Sequence, residues 1–146
     1  GLILNYYKPE PGTDPDPEPG TDPEPGVEPV TITMSDYFTE ATSFVVGSSY
    51  QMGDLTCEYV QKGGSSTSNY NANDPGIRFY ANDVIKFTSA KDILRMEFVA
   101  YGGKEGPITS DVGSFEGLVW TGNAKEITFT ATAQCRFNAI KVTFAE

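Results

Sequence analysis

The chain of 146 residues contains no histidine. Histidine is the side chain that titrates unperturbed near neutral pH and a frequent zinc ligand. Its absence removes Ser-His and Cys-His nucleophilic schemes and every His-based metal site. No apolar run approaches the roughly 18 residues of a membrane-spanning helix. Any membrane attachment is therefore expected through an anchor outside this chain. Basic residues are scarce, 10 Lys+Arg against 20 Asp+Glu, for a net charge of −10. A phosphate backbone calls for clustered Lys and Arg, so nucleic acid is not expected as a partner. Paired carboxylates are the general catalytic route left, with Glu97, Glu105, Asp111 and Glu116 as candidates. No spacing singles out a pair among them, and the chain reads as non-enzymatic.

Cysteine is nearly absent too. Cys57 and Cys135 form no Cys-x-x-Cys pair, which excludes a redox motif. Both fall on apolar strand faces. They are either two buried thiols acting as small hydrophobes or a disulfide between two strands of an exported protein.

The acidity that is present is uneven. Eight of the ten prolines and seven acids lie within residues 8–29, where Pro-Glu-Pro-Gly recurs at 9–12, 17–20 and 23–26. Proline fixes φ and lacks an N–H, and the carboxylates repel one another. An extended acidic Pro-rich linker is expected there, reaching about 60 Å at roughly 3 Å per residue. Residues 1–7, Gly-Leu-Ile-Leu-Asn-Tyr-Tyr, form a short apolar segment with strand character. It reads as the end of a preceding module or as a strand added to a sheet edge.

Residues 30–146 alternate with period two. Ile32 and Met34 share a face, as do Leu55, Cys57 and Tyr59, Ile77 and Phe79, and Ile85 and Phe87. Leu94, Met96, Phe98 and Ala100 form another, Ile127, Phe129 and Ala131 a further one, and Ile140, Val142 and Phe144 the last. Turn signals stand between them: Gly47-Ser-Ser, Gly63-Gly, Asn73-Asp-Pro-Gly, Asn82-Asp, Gly102-Gly and Gly122-Asn. One helical turn is expected from Ser35 to Ala41, with Ser35 as its cap. The pattern predicts an all-β domain of seven to nine strands, an antiparallel β-sandwich of jelly-roll-like kind. Cys135 and Phe137 are out of phase with Ile140, Val142 and Phe144, which predicts a β-bulge near Asn138–Ala139.

The candidate sites lie on loops and outward faces. Stacking on a sugar ring uses aromatics, with amides and charged groups holding hydroxyls. Trp120, Tyr80, Arg78, Tyr70, Asn71 and Asn82 are the ligand-binding candidates, at one end of the sandwich. Trp120 also reads as a core residue opening a hairpin. Asn71, Asn73 and Asp74 offer oxygens to calcium, but the stretch lacks the glycine and the glutamate of an EF-hand loop. No cofactor is expected, calcium being the one candidate. The segment from Gly102 to Gly117 reads as a long hairpin loop, in which Ile108, Val112 and Phe115 offer an interaction patch or a lid.

The order of motifs from Leu55 onward resembles a known family. It runs through Glu58-Tyr-Val-Gln-Lys-Gly-Gly, Gly76-Ile-Arg-Phe-Tyr-Ala-Asn-Asp, Val84-Ile-Lys-Phe-Thr-Ser and Ile93-Leu-Arg-Met-Glu-Phe. It ends on Gly117-Leu-Val-Trp-Thr-Gly122, Ile127-Thr-Phe-Thr-Ala and Arg136-Phe-Asn-Ala-Ile-Lys-Val-Thr-Phe144. This resembles a β-sandwich module of exported, often lipid-anchored, surface proteins of Bacteroidetes. Phe137 and Phe144 stand where that family usually has an aliphatic residue and a tyrosine. The resemblance implies an extracellular or outer-surface setting and a non-catalytic binding or adhesion module. Its expected partner is a glycan or a surface protein. The alternative is a purely structural repeat of an adhesin-like or fimbrial protein.

Overall fold

A computed structural model describes residues 28–146. The expectations for residues 1–7 and for most of the 8–29 linker lie outside the described residues. Eleven strands follow in order: β1 (Val30–Thr33), β2 (Thr42–Ser43), β3 (Ser49–Met52), β4 (Leu55–Gln61), β5 (Asn69–Asn71) and β6 (Gly76–Phe79). Then come β7 (Val84–Glu105), β8 (Ile108–Ser110), β9 (Ser114–Glu116), β10 (Val119–Ala131) and β11 (Cys135–Phe144). The fold is all-β and every pairing is antiparallel. The count exceeds the expected seven to nine because β2, β8 and β9 are only two or three residues long.

Two long strands organise the sheet. The first part of β7, Val84–Thr88, pairs with β4 and with the second half of β10. The later part, Ile93–Glu105, pairs with β11, and through Ile93–Glu97 with the first half of β10. Both strands therefore serve two layers, as corner strands do when sheets pack across one another. Phe98 of the later part of β7 meets Phe87 and Phe129 of the other layer at ring-centroid distances of 6.3 and 5.4 Å. A second aromatic cluster joins Phe38, Phe44, Tyr50, Tyr59 and Tyr70. The two layers enclose one core, and the sheet is not closed into a barrel. Strands distant in sequence, such as β6 and β11, lie side by side, giving the crossed connections of a jelly roll.

The alternating faces are where the periodicity places them, with one exception. In β7 Ile93, Met96 and Phe98 are buried while Leu94 and Ala100 are only partly so. The strand changes phase between Ile93 and Met96: Phe144 pairs with Ile93 and Thr143 with Arg95, so Leu94 is an extra residue that shifts the buried face from odd to even positions. The predicted bulge is present. Phe137 pairs with Ala100 and Ala139 with Val99, so Asn138 is the extra residue. The helical turn is a short 3₁₀ turn at Met34–Asp36, and its cap position, Thr33, makes no side-chain hydrogen bond. Ser35 therefore lies within the turn and does not cap it.

Two glycine-containing pairs expected at turns lie inside strands. Gly102 and Gly103 fall in an insertion in β7, between the residues opposite Phe137 and Cys135. Gly122-Asn123 forms the irregularity of β10. The expected Gly102–Gly117 loop is thus largely strand, with β8 pairing on one half of β10 and β9 on the other. Ile108 is buried and Phe115 stacks on Phe98, so neither belongs to a surface patch; Val112 stays exposed.

Candidate functional site

Trp120 and Tyr70 are core residues. Trp120 is fully buried, and its indole N–H donates to the Val112 carbonyl at 2.8 Å. Gly113, at φ +72°, lies so close that a Cβ there would sit 2.6 Å from the indole. Tyr70 stacks on Phe38 at 4.9 Å. An aromatic ring with no open face cannot stack on a sugar, so both leave the candidate set.

The cysteines are not bridged. Cys57 and Cys135 are both free and buried. Burial, with a smaller push from Glu58 and Glu105 respectively, raises both thiols to about 12. The bridge is replaced by the other reading, two buried thiols packed as small hydrophobes.

Asn82, at φ +69°, holds the turn that sets Asp83 inside the domain. The Asp83 carboxylate is fully buried. Its Oδ1 accepts from the Gly63 N–H at 2.7 Å. Its Oδ2 accepts from the Tyr59 hydroxyl at 2.8 Å, the Ser68 hydroxyl at 2.7 Å and the Ser68 N–H at 3.1 Å. Burial raises the Tyr59 hydroxyl above the ordinary tyrosine range, and Asp83 adds to that. Both carboxylate oxygens accept from the protein, which makes this a structural clamp on the 62–68 loop.

The remaining candidates gather on the outward face of β5, β6 and β11. Arg78 stands opposite Asn69 on one side and Arg136 on the other. Cross-strand partners share a face, so the two guanidinium groups lie next to one another. Asp74 Oδ2 is 4.0 Å from Arg78 Nη2 and 3.8 Å from Arg136 Nη1. Tyr101 reaches from β7 across β11 and donates its hydroxyl to the Asp74 carbonyl at 3.0 Å. Its ring presses on Gly76, where a Cβ would come within 2.5 Å of it. Burial and the Asp74 charge raise the Tyr101 hydroxyl above the ordinary range, while Arg136 and Arg78 act in the opposite sense. Tyr80, half-buried, follows Arg78 with the same strand parity. Asn71 Oδ1 accepts from the Asp74 N–H at 2.8 Å and so fixes the turn. A calcium ion at Asn71, Asn73 and Asp74 would compete with that bond and with the two arginines.

Beside this face lies a depression of about 390 Å³ lined by Thr33, Ser35, Asp74, Pro75, Tyr101, Asn138 and Ala139. Its origin is the bulge. β1 and β6 lie end to end along the same edge of β11, one beside Ala139–Val142 and the other beside Cys135–Phe137. The gap between them opens at Asn138. Two other depressions have similar volumes, about 370 Å³ at Gln51–Thr56 with Thr88–Ala90, and about 360 Å³ at Ser114–Thr121. Size does not distinguish them, and the charged pair does.

The catalytic candidates are dispersed. Glu97 pairs with Arg95 at 3.4 Å, and Asp111 accepts from the Thr128 N–H. Val119 stands between Glu97 and Glu116, two strand spacings or about 10 Å apart. Among the described residues no group of three or more Cys, Asp or Glu could hold a metal ion.

Arg136 and Tyr101 were not singled out by the sequence. The parity of Arg136 against Cys135 and Phe137 marks it as outward-facing, but its place beside Arg78 depends on a register between residues 58 positions apart. Comparison with protein-family models, curated proteins and solved structures finds no match.

Proposed function

We propose that the domain is a non-catalytic binding module of an exported surface protein, and that it takes a glycan on the outward face of β5, β6 and β11. The observation that carries this is the outward cluster of Arg78, Arg136, Asn69, Asn71, Tyr80 and Tyr101 next to the depression at Asn138. A pyranose needs an aromatic surface and several directional donors and acceptors, and this face supplies both. The resemblance to Bacteroidetes surface modules and the acidic Pro-rich stretch of residues 8–29 support an extracellular setting. A glycan array followed by titration calorimetry tests the reading. Heat with at least one glycan, lost in Tyr80→Ala and Arg78→Ala with the circular dichroism unchanged, is expected. No heat with any glycan would sink it.

The second reading, a structural repeat in an adhesin-like array, is favoured by the open edges of the sheet. Among the described residues β3 pairs only with β4, and β8 only with β10. A further copy of the Trp-Thr-Gly … Ile-x-Val-x-Phe pattern elsewhere in the gene would support it.

A further inference from the structure

We infer that Arg78 and Arg136 form a two-guanidinium receptor for a carboxylate or sulfate group of an acidic polysaccharide. This rests on the reading of the same face as a glycan-binding surface and specifies the charge of the ligand. The two arginines are direct cross-strand partners on β6 and β11. Like charges placed directly opposite repel, so the arrangement needs a counter-charge.

Asp74 is the carboxylate that ion-pairs with them among the described residues, at 4.0 and 3.8 Å. Those separations are beyond hydrogen-bonding length. Its side chain is 53% exposed, so the neutralisation is loose. The Nε–H groups of both arginines are buried and meet no acceptor among the described residues. Tyr101 is a neutral neighbour within reach of Arg78, and among the described residues the two guanidinium groups together carry one more positive charge than Asp74 balances.

An oxyanion completes this arrangement. Each guanidinium presents parallel N–H donors in a fork that matches carboxylate or sulfate oxygens. The positive charge is local, because residues 30–146 are net acidic. The surroundings suit a sugar. Tyr101, Asn138, Thr33 and Ser35 are among the residues that line the adjoining depression of about 390 Å³. That volume lies within the rough range of 300–1,000 Å³ for small-ligand pockets.

The test is calorimetry on the whole chain with three probes: oligogalacturonate, its fully methyl-esterified form, and a carrageenan oligomer, which carries sulfate and no carboxylate. The ester keeps the sugar and removes the charge. Oligogalacturonate or the sulfated oligomer should bind about tenfold or more tightly than the ester, the two arms separating carboxylate from sulfate. Arg78→Gln and Arg136→Gln should each remove most of that preference. Asp74→Asn should tighten acid binding several-fold, because the competing carboxylate is gone while the backbone contacts of residue 74 remain. A gain of this kind cannot come from misfolding. Equal binding of acid and ester, or acid binding unchanged in both arginine variants and in Asp74→Asn, would overturn the inference and leave the glycan reading standing. No binding of any saccharide on the array would overturn both.

Discussion

Individual side chains divide sharply into those that hold the fold and those free to meet a ligand. Asp83 belongs to the first group. Its four accepted hydrogen bonds involve both carboxylate oxygens, and an amide in its place would turn one acceptor into a donor facing donors. Asp83→Asn is expected to lower stability by about 2–3 kcal/mol in urea unfolding, with the folded spectrum intact. Trp120 is the single tryptophan and serves as its own reporter. Its emission should be blue-shifted, resist iodide quenching and stay unchanged when a glycan binds; an emission shift on binding would return Trp120 to the site. The sequence marked Arg78, Tyr80 and Asn71 correctly as lying outside the core, because parity along a strand is a local property. For Trp120 it offered a core reading beside the binding one, and it did not separate Tyr70 from the outward residues. Whether an aromatic ring has an open face depends on Val112, Gly113 and Phe38, which reach it from other elements.

At the scale of elements, glycines and bulges decide what the strands can do. Gly113 lets the β9–β10 hairpin close against the indole. Gly113→Ala adds both a strained positive φ and a clash, and is expected to cost about 2–4 kcal/mol by thermal or urea unfolding. A variant with unchanged stability would show that the hairpin relaxes freely. The strand faces and the bulge at Asn138 were legible, since period two and its phase break appear within a few residues. The length of β7 and β10 was not. Gly102-Gly103 and Gly122-Asn123 carry ordinary turn chemistry, and only pairing with β11 and β7 shows that the chain continues through them. The depression beside the arginines was hidden for a related reason. It exists because β1 and β6 stop short of each other along β11, a fact of three elements together.

The whole molecule adds a dependence on alkaline pH. The two thiols titrate at about 12 when folded against an ordinary value of 9.0, and Tyr59 and Tyr101 are also raised. A group whose folded pKa lies above its unfolded value gives a contribution fully present below the unfolded pKa. That contribution is lost as pH rises through the folded one. The unfolded chain therefore releases protons first, and stability should fall from about pH 9 towards pH 12. Urea midpoints measured between pH 7 and 11 check the sign, and a Cys57→Ala, Cys135→Ala variant should show a shallower decline. In the native protein at pH 8, neither thiol should react with a disulfide reagent until denaturant is added.

The pairing of β1 with β11 also sets how the domain answers to tension. Val30 lies opposite Val142 in an antiparallel pair, so residues 28 and 146 leave the sheet from the same end. A force applied between them breaks the ladder one rung at a time and does not shear all rungs together. The first event on stretching is the peeling of Val30–Thr33 from β11, which uncovers Ile32 while the long corner strands stay paired. The domain would yield at low force and extend by a short, reversible step, a compliant joint rather than a rigid link.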